Sequence, residues 1–213
     1  MSIADLRREY ERHGLAEHEV RADPMAQFAD WFEAARTAGL EEPNAMVLAT
    51  ADAQGAPSAR VVLLKGLDAR GFGLFTNQAS RKARDLEANP RGALVFFWGP
   101  LERQVRAEGY VERLPDGDAD AYWAKRPRES QLGAWASLQS ERVGSRAELE
   151  SNLAAARARF PASAPVPRPA HWGGYLLAPT RVEFWQGRPA RLHDRLLYTR
   201  RADGSWALER LAP

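Results

Sequence analysis

The strongest constraint on the fold is a series of short apolar, β-branched runs cut by turn tetrapeptides and not alternating one-for-one with helices. AMVLATA (45–51), SARVVLLKGL (58–67) and FGLFT (72–76) are divided by DAQG and DARG, which predicts a meander of antiparallel strands. GALVFFW (92–98) is apolar enough to read as a strand buried on both faces, whereas LERQVRAEGYVERL (101–114) alternates and predicts one wet face. Beyond a Pro-rich loop, PASAPVPRP (161–169), GGYLLAPTRVEFWQG, RLLYTRR and WALERL read as further strands, the last two joined by the turn ADGS.

Helices are few. Asp23-Pro24 is an N-cap followed by proline at the first turn, and Met25, Phe28, Trp31, Phe32 and Ala35 then form one apolar stripe that Gly39 can end. Ser80 can cap a short helix beginning Arg81-Lys82, and residues 116–160 read as helical with a break at Pro127. The expected architecture is mainly β with peripheral helices (α+β): an antiparallel barrel, closed on this reading, in one domain spanning 21–213, preceded by a charged arm over 1–20 that is flexible unless it docks.

Composition removes whole classes of chemistry. Cysteine is absent, so thiolate nucleophiles, iron-sulfur clusters and cysteine-ligated zinc are excluded. The four histidines lack metal-site spacing, so no metal is expected. Thirty Lys+Arg against 28 Asp+Glu leave a formal charge of +2, too little for a polycation that coats nucleic acid. No apolar stretch resembles a signal peptide or a membrane span, so a cytoplasmic protein without membrane or nucleic-acid partners is expected. GxGxxG, GxxxxGK[ST] and GxSxG motifs are missing.

What remains is a series of cations and hydroxyls near the ends of β segments. Arg60 and Lys65 bracket four apolar residues; strict alternation sends them to opposite faces unless a bulge intervenes, and both could simply mark the solvent boundary. Thr76 to Lys82 is a polar turn entering a helix, a phosphate pocket or a solvated first turn, and its cations oppose the helix dipole. Tyr122 and Arg126 share a helix face, with Ser130 on the next first turn, suiting a phosphate monoester or an exposed amphipathic surface. In an extended segment Arg191, His193 and Arg195 point the same way and repel unless an anion or a facing carboxylate intervenes. Gln104 and the pair Gln139-Ser140 are neutral donors for a heterocycle edge or ordinary surface groups.

These blocks, in this order, resemble the pyridoxine/pyridoxamine 5'-phosphate oxidase family. The likeness covers nearly the whole chain, from LRREY (6–10) through RVVLLKG, FTNQASRKA, LERQVR, RPRESQLGAWAS, WGGY and VEFWQGRPARLHDR to the terminal RLAP. It implies an FMN-binding split-barrel homodimer with the cofactor at the subunit interface. It also implies oxidation of pyridoxamine or pyridoxine 5'-phosphate to pyridoxal 5'-phosphate, with oxygen as acceptor and peroxide released. By matching motif it puts FMN contacts on Arg60, Val61, Val62, Leu63, Leu64, Lys65, Phe75, Thr76, Arg81, Lys82, Gln104, Gln139, Ser140, Trp185 and Arg195. Substrate contacts fall on Lys65, Tyr122, Arg126, Ser130, Arg191, Leu192 and His193, with Arg7, Arg8, Glu9 and Tyr10 as a lid, and Arg191 and His193 stabilise developing charge. Phe75 stands where the family often has tyrosine, so a hydroxyl contact there is lost. The competing reading is a non-catalytic flavin or pyridoxal phosphate binder on the same barrel.

Overall fold

The computed structural model describes Tyr10 and residues 14–213. Helix α1 (Pro24–Thr37) starts where Asp23 accepts the Met25 amide at 2.7 Å, and Gly39, at φ +71°, takes the left-handed turn that follows it. Its buried stripe drives Phe28 into the concave side of the sheet, 4.9 Å from Phe72 and 4.7 Å from Phe96, while Trp31 meets Phe184 at 5.2 Å. Aromatic pairs at these spacings anchor the main core.

The sheet comprises β1 (Ala45–Ala51), β2 (Pro57–Leu63), β3 (Gly66–Asp68), β4 (Gly71–Asn77), β5 (Arg91–Trp98), β6 (Arg103–Arg113), β7 (Trp172–Gln186), β8 (Asp194–Arg200) and β9 (Trp206–Arg210). Neighbouring strands run β2-β1-β5-β6-β7-β4-β3, all antiparallel, with β8 and β9 added beside β7. The 15-residue β7 makes the curl: one edge pairs with β6 throughout, while the other pairs first with β4 and then with β8. A bulge at Glu108/Gly109 bends it there, and only glycine fits, because a Cβ on Gly109 would lie 2.1 Å from the Ala178 carbonyl.

Three expectations are corrected. The barrel is not closed: β2 and β3 end the ladder without pairing to each other among the described residues. SARVVLLKGL is two strands, because the ladder leaves β2 at Leu63, and Leu64, 7% exposed, plunges into the core before β3 begins. GALVFFW is not buried on both faces, since Phe97 is 63% exposed. The convex face of β2, β1 and β5 in fact carries Val61, Val47, Val95 and Phe97, and cross-strand pairing aligns Val61, Val47 and Val95 in one row.

Helix α2 (Arg81–Ala88) packs on β1; α3 (Asp116–Ala124), α4 (Arg128–Ala136) and α5 (Arg146–Arg159) build a second apolar cluster around Trp123, Leu132 and Trp172. Arg128 stitches the Pro-rich loop to it through the carbonyls of Phe160, Pro161 and Ala164. Among the described residues no helix is long and apolar enough to cross a membrane.

Candidate active site

Where the sheet fails to close, it leaves a cleft of about 800 Å³ between edge strand β2, the end of β4, the start of α2 and the α3–α4 corner. Arg60, Val61, Val62 and Leu63 line one wall, and Lys65 joins them. The expectation that Arg60 and Lys65 part company is thus corrected. Alternation stops at Leu63, and the Lys65 amide bonds the Gly73 carbonyl at 2.8 Å, which swings its side chain to the same cleft. Leu64 turns into the core instead of lining it.

Opposite lie Phe75, Thr76, Arg81 and Lys82. Lys82 is only 7% exposed, yet its Nζ donates to neutral acceptors alone: Gln139 Oε1 at 2.9 Å, Thr76 Oγ1 at 3.1 Å and Ser80 Oγ at 3.2 Å. Burial, reinforced by the Arg60 charge, pushes its ammonium down to about 8. The fully buried Ser80 makes no side-chain cap, contrary to expectation, because its hydroxyl is turned to Lys82. The amides of Arg81, Lys82 and Ala83 therefore have no acceptor among the described residues.

Arg60 donates to Thr50 Oγ1 at 2.8 Å, Ser58 Oγ at 2.7 Å and the Leu48 carbonyl, with Asp85 3.8 Å away. Burial holds its pKa below the ordinary value, partly countered by Asp85. The far wall is aromatic: Tyr122 stacks on Phe75 with centroids 4.4 Å apart, and the Arg126 guanidinium lies 5.1 Å from the Trp172 ring. Arg126 falls just past the end of α3 rather than on it, beside Ser130 on the first turn of α4. It reaches the Ser130 carbonyl at 3.2 Å, but its buried Nε has no partner, and burial lowers its pKa. Gln139 and Ser140 complete the rim.

The remaining predicted residues gather elsewhere. Gln104 pairs in register with Trp185, and Trp185 with Arg195, on the convex face that also carries Phe97. Arg195 is held bidentately by Glu183, at 2.8 and 3.2 Å, which raises its pKa. Trp185 and His193 rings lie 4.7 Å apart, with Tyr10 edge-on at 5.6 Å to each. The His193 Nδ1 accepts the Arg188 amide at 3.1 Å; burial, and then the nearby Arg191 charge, lower its pKa. Contrary to the expected alternation, the chain is not extended at Arg191: residues 189–191 form a turn in which Ala190 and Arg191 adopt φ +54° and +61°, leaving Arg191 and Leu192 exposed. Arg7, Arg8 and Glu9 lie outside the described residues. Among those described, no hydrogen bond, ion pair or ring contact joins this second group to the cleft.

A family model for pyridoxamine 5'-phosphate oxidase matches residues 32–160, and one for the pyridoxine 5'-phosphate oxidase C-terminal dimerisation region matches residues 172–213. The chain is 60% identical over 213 residues to the pyridoxine/pyridoxamine 5'-phosphate oxidase of Salinibacter ruber, covering 99% of both chains. It is 61% identical to that of Rubrobacter xylanophilus, covering 99% of this chain and 96% of the other. The chain belongs to the pyridoxine/pyridoxamine 5'-phosphate oxidase family. Among solved structures it is similar to PhzG from Burkholderia lata 383 in complex with tetrahydrophenazine-1-carboxylic acid, at TM-score 0.87 and 30% identity, covering 92% of this chain and 95% of that one. A pyridoxamine 5'-phosphate oxidase-related, FMN-binding protein from Nostoc punctiforme shares the fold, at TM-score 0.71 and 19% identity, over 94% of this chain and all of that one.

The cleft suits phosphorylated ligands. Lys82 and Arg126 are desolvated cations with no ion pair among the described residues, and Arg60 is a third whose charge Asp85, 3.8 Å away, only partly balances. Burying cations in this way is costly unless an anion completes the site. Two participants were not singled out from the sequence. Trp172 lies within WGGY but carries no charge to flag it, and Glu183 shows its role only once β7 and β8 pair.

Proposed function

We propose that this oxidase binds FMN and its phosphorylated substrate in the cleft and works as a homodimer, with FMN at the subunit interface. The reaction is the oxidation of pyridoxamine or pyridoxine 5'-phosphate to pyridoxal 5'-phosphate, which serves pyridoxal phosphate biosynthesis and salvage. The observation that carries the ligand reading is the buried Lys82, ringed by neutral acceptors and facing Arg60.

When bound, FMN would supply the two-electron acceptor that no side chain offers, with oxygen as the final acceptor and peroxide the by-product of the overall reaction. Arg60, Arg81, Lys82 and the free amides at the start of α2 hold its phosphate, with Gln139 and Ser140 at the rim. Lys65, Tyr122, Arg126 and Ser130 hold the substrate phosphate. Neutral His193 keeps its proton on Nε2, because Nδ1 already accepts an amide hydrogen, so it donates to charge developing on the substrate ring, beside Arg191. With the amine substrate, water then releases ammonia.

Separation of the Trp185–His193–Arg195 group from the cleft supports the dimer: each site takes the cleft from one copy and that group from the other. The apolar row Val61, Val47 and Val95, with Phe97 beside it, gives a second copy a surface to cover, and Val61 is 67% exposed in the single chain. The experiment is spectroscopic. The purified protein is expected to be yellow, to bleach on anaerobic addition of pyridoxamine 5'-phosphate and to release peroxide on admission of air. A flavin that stays oxidised identifies the non-catalytic binder instead, and a colourless protein that takes up no added FMN overturns the reading.

A further inference from the structure

Arg60 enters the cleft already held from behind. In the β1–β2 ladder Leu48 faces Arg60 and Thr50 faces Ser58, so both hydroxyls lie on the sheet face that carries the arginine, two residues along from it. The guanidinium uses three of its five N–H groups on this bed. Nη1 donates to Thr50 Oγ1 at 2.8 Å and to the Leu48 carbonyl at 3.1 Å, and Nη2 donates to Ser58 Oγ at 2.7 Å. The Nε hydrogen and one on Nη2 have no acceptor among the described residues.

Thr50 links this bed to helix α2. Its single hydroxyl hydrogen goes to Asp85 Oδ2 at 2.7 Å, and with Thr50 only 4% and Asp85 5% exposed, solvent has little part in orienting either. A guanidinium can only donate and a carboxylate can only accept. Both bonds at the hydroxyl therefore have a fixed direction: Asp85 takes the hydrogen, which leaves a lone pair for Arg60. Asp85 lies one turn beyond Arg81 and Lys82, so the chain of bonds from Asp85 through Thr50 to Arg60 sets the arginine relative to the open amides at the start of α2.

We propose that Thr50 is a positioning residue for cofactor recognition: its hydroxyl, oriented by Asp85, fixes the Arg60 guanidinium so that its two unused N–H groups stay available to the phosphate of FMN. This rests on the proposed function in assigning that phosphate to Arg60. Thr50 does not line the cleft and acts only through the arginine.

The test is a mutant cycle read by FMN binding, from the quenching of flavin fluorescence. Valine matches the shape of threonine and suits a strand, yet offers Arg60 no acceptor and Asp85 no donor. Thr50→Val is expected to raise the FMN dissociation constant about tenfold and to leave that for riboflavin, which has no phosphate, within about twofold. Thr50→Ser and Asp85→Asn keep the hydroxyl and an oxygen to receive its hydrogen, and are expected to stay within about threefold of wild type for FMN. In an Arg60→Met background Thr50→Val is expected to change FMN binding by less than about twofold, because the group it acts through is gone. A merely structural threonine lowers the urea midpoint without this dependence on Arg60. An effect of Thr50→Val that is absent in the wild-type background, or equally large without Arg60, overturns the proposal, and so does a loss in Asp85→Asn as large as that in Thr50→Val. If Thr50→Val does not fold, Thr50→Ala takes its place in the same cycle with the same criteria. A wild type that takes up no FMN overturns the functional reading and this inference together, whereas FMN binding with an additive cycle overturns the inference alone.

Discussion

In the cleft, Arg60, Lys82 and Arg126 are all held below their ordinary pKa by burial, whereas at the C-terminal strands Arg195 and Arg210 are held above it by hydrogen bonds to Glu183, Glu17 and Asp194. One residue type thus does opposite work in two places. At the C-terminal strands Arg195 and Arg210 find their counter-charges within the chain and tie elements together. In the cleft the nearest carboxylate, Asp85, stays 3.8 Å from Arg60 and is already bonded by Thr50. Buried cations whose charge the chain balances only in part are a site built for an external anion, and the energy that makes them bind is stored as reduced stability of the ligand-free protein.

The sharpest way to break this contrast is Arg126→Met. Charge-assisted bonds to a phosphate are each worth about 1.5–3 kcal/mol, so KM for pyridoxamine 5'-phosphate is expected to rise about 10- to 100-fold. The thermal midpoint of the FMN-free protein should hold or rise, because a buried guanidinium with an unpartnered Nε is removed. A fall of several degrees would mean that Arg126 belongs with the structural arginines. The complementary change is Glu183→Gln, which leaves Arg106 and Arg195 facing a neutral group that is 7% exposed in the wild type. Here stability should drop by about 1–3 kcal/mol, seen as a lower midpoint in urea. An unchanged midpoint would erase the distinction from the other side.

How much of this was legible beforehand follows from what local pattern can encode. Strands β1, β4, β6, β8 and β9 and helix α1 announce themselves through period and turn residues, and so their places follow. Alternation puts Arg60 and Lys65 on opposite faces because LLKGL carries no signal of the break at Leu63; that break is set by long-range pairing, Leu64 to Asn44 and Lys65 to Gly73. Alternation aligns Arg191 with His193 and Arg195 because it assumes an extended chain, and the positive φ of Ala190 and Arg191 is invisible without glycine to mark it. The division of Gln104, Trp185 and Arg195 from the cleft follows from which sheet face each strand presents, which becomes definite only once the sheet is assembled.

A smaller effect isolates Lys82. Replacing it with methionine keeps the stem buried and removes the ammonium, so the FMN dissociation constant should rise about tenfold, measured by recovery of flavin fluorescence. Stability of the FMN-free protein should shift by less than about 1 kcal/mol, since relief from desolvation offsets the bonds lost to Thr76, Ser80 and Gln139. A large loss of stability with FMN affinity intact would show that these bonds exist to hold the fold.

The mildest probe needs no substitution. Burial, and then the Arg60 charge, push the Lys82 ammonium down to about 8, against an ordinary lysine value of 10.5. Folding therefore lowers this pKa, and between about 8 and 10.5 the unfolded chain binds the extra proton, so this group makes the FMN-free protein more stable as pH rises through that window; below it the desolvation cost is fully present. Anion binding has the opposite dependence. A phosphate favours the charged lysine, so FMN affinity should be flat between about pH 7, above the phosphate's own second pKa of about 6, and pH 8, and weaken above it, approaching about tenfold per pH unit while the bound form stays protonated. The two trends oppose each other because one proton serves both, and Lys82→Met should flatten both together. If affinity above pH 8 falls as steeply in that variant as in the wild type, another group carries the titration and Lys82 is not the phosphate's partner.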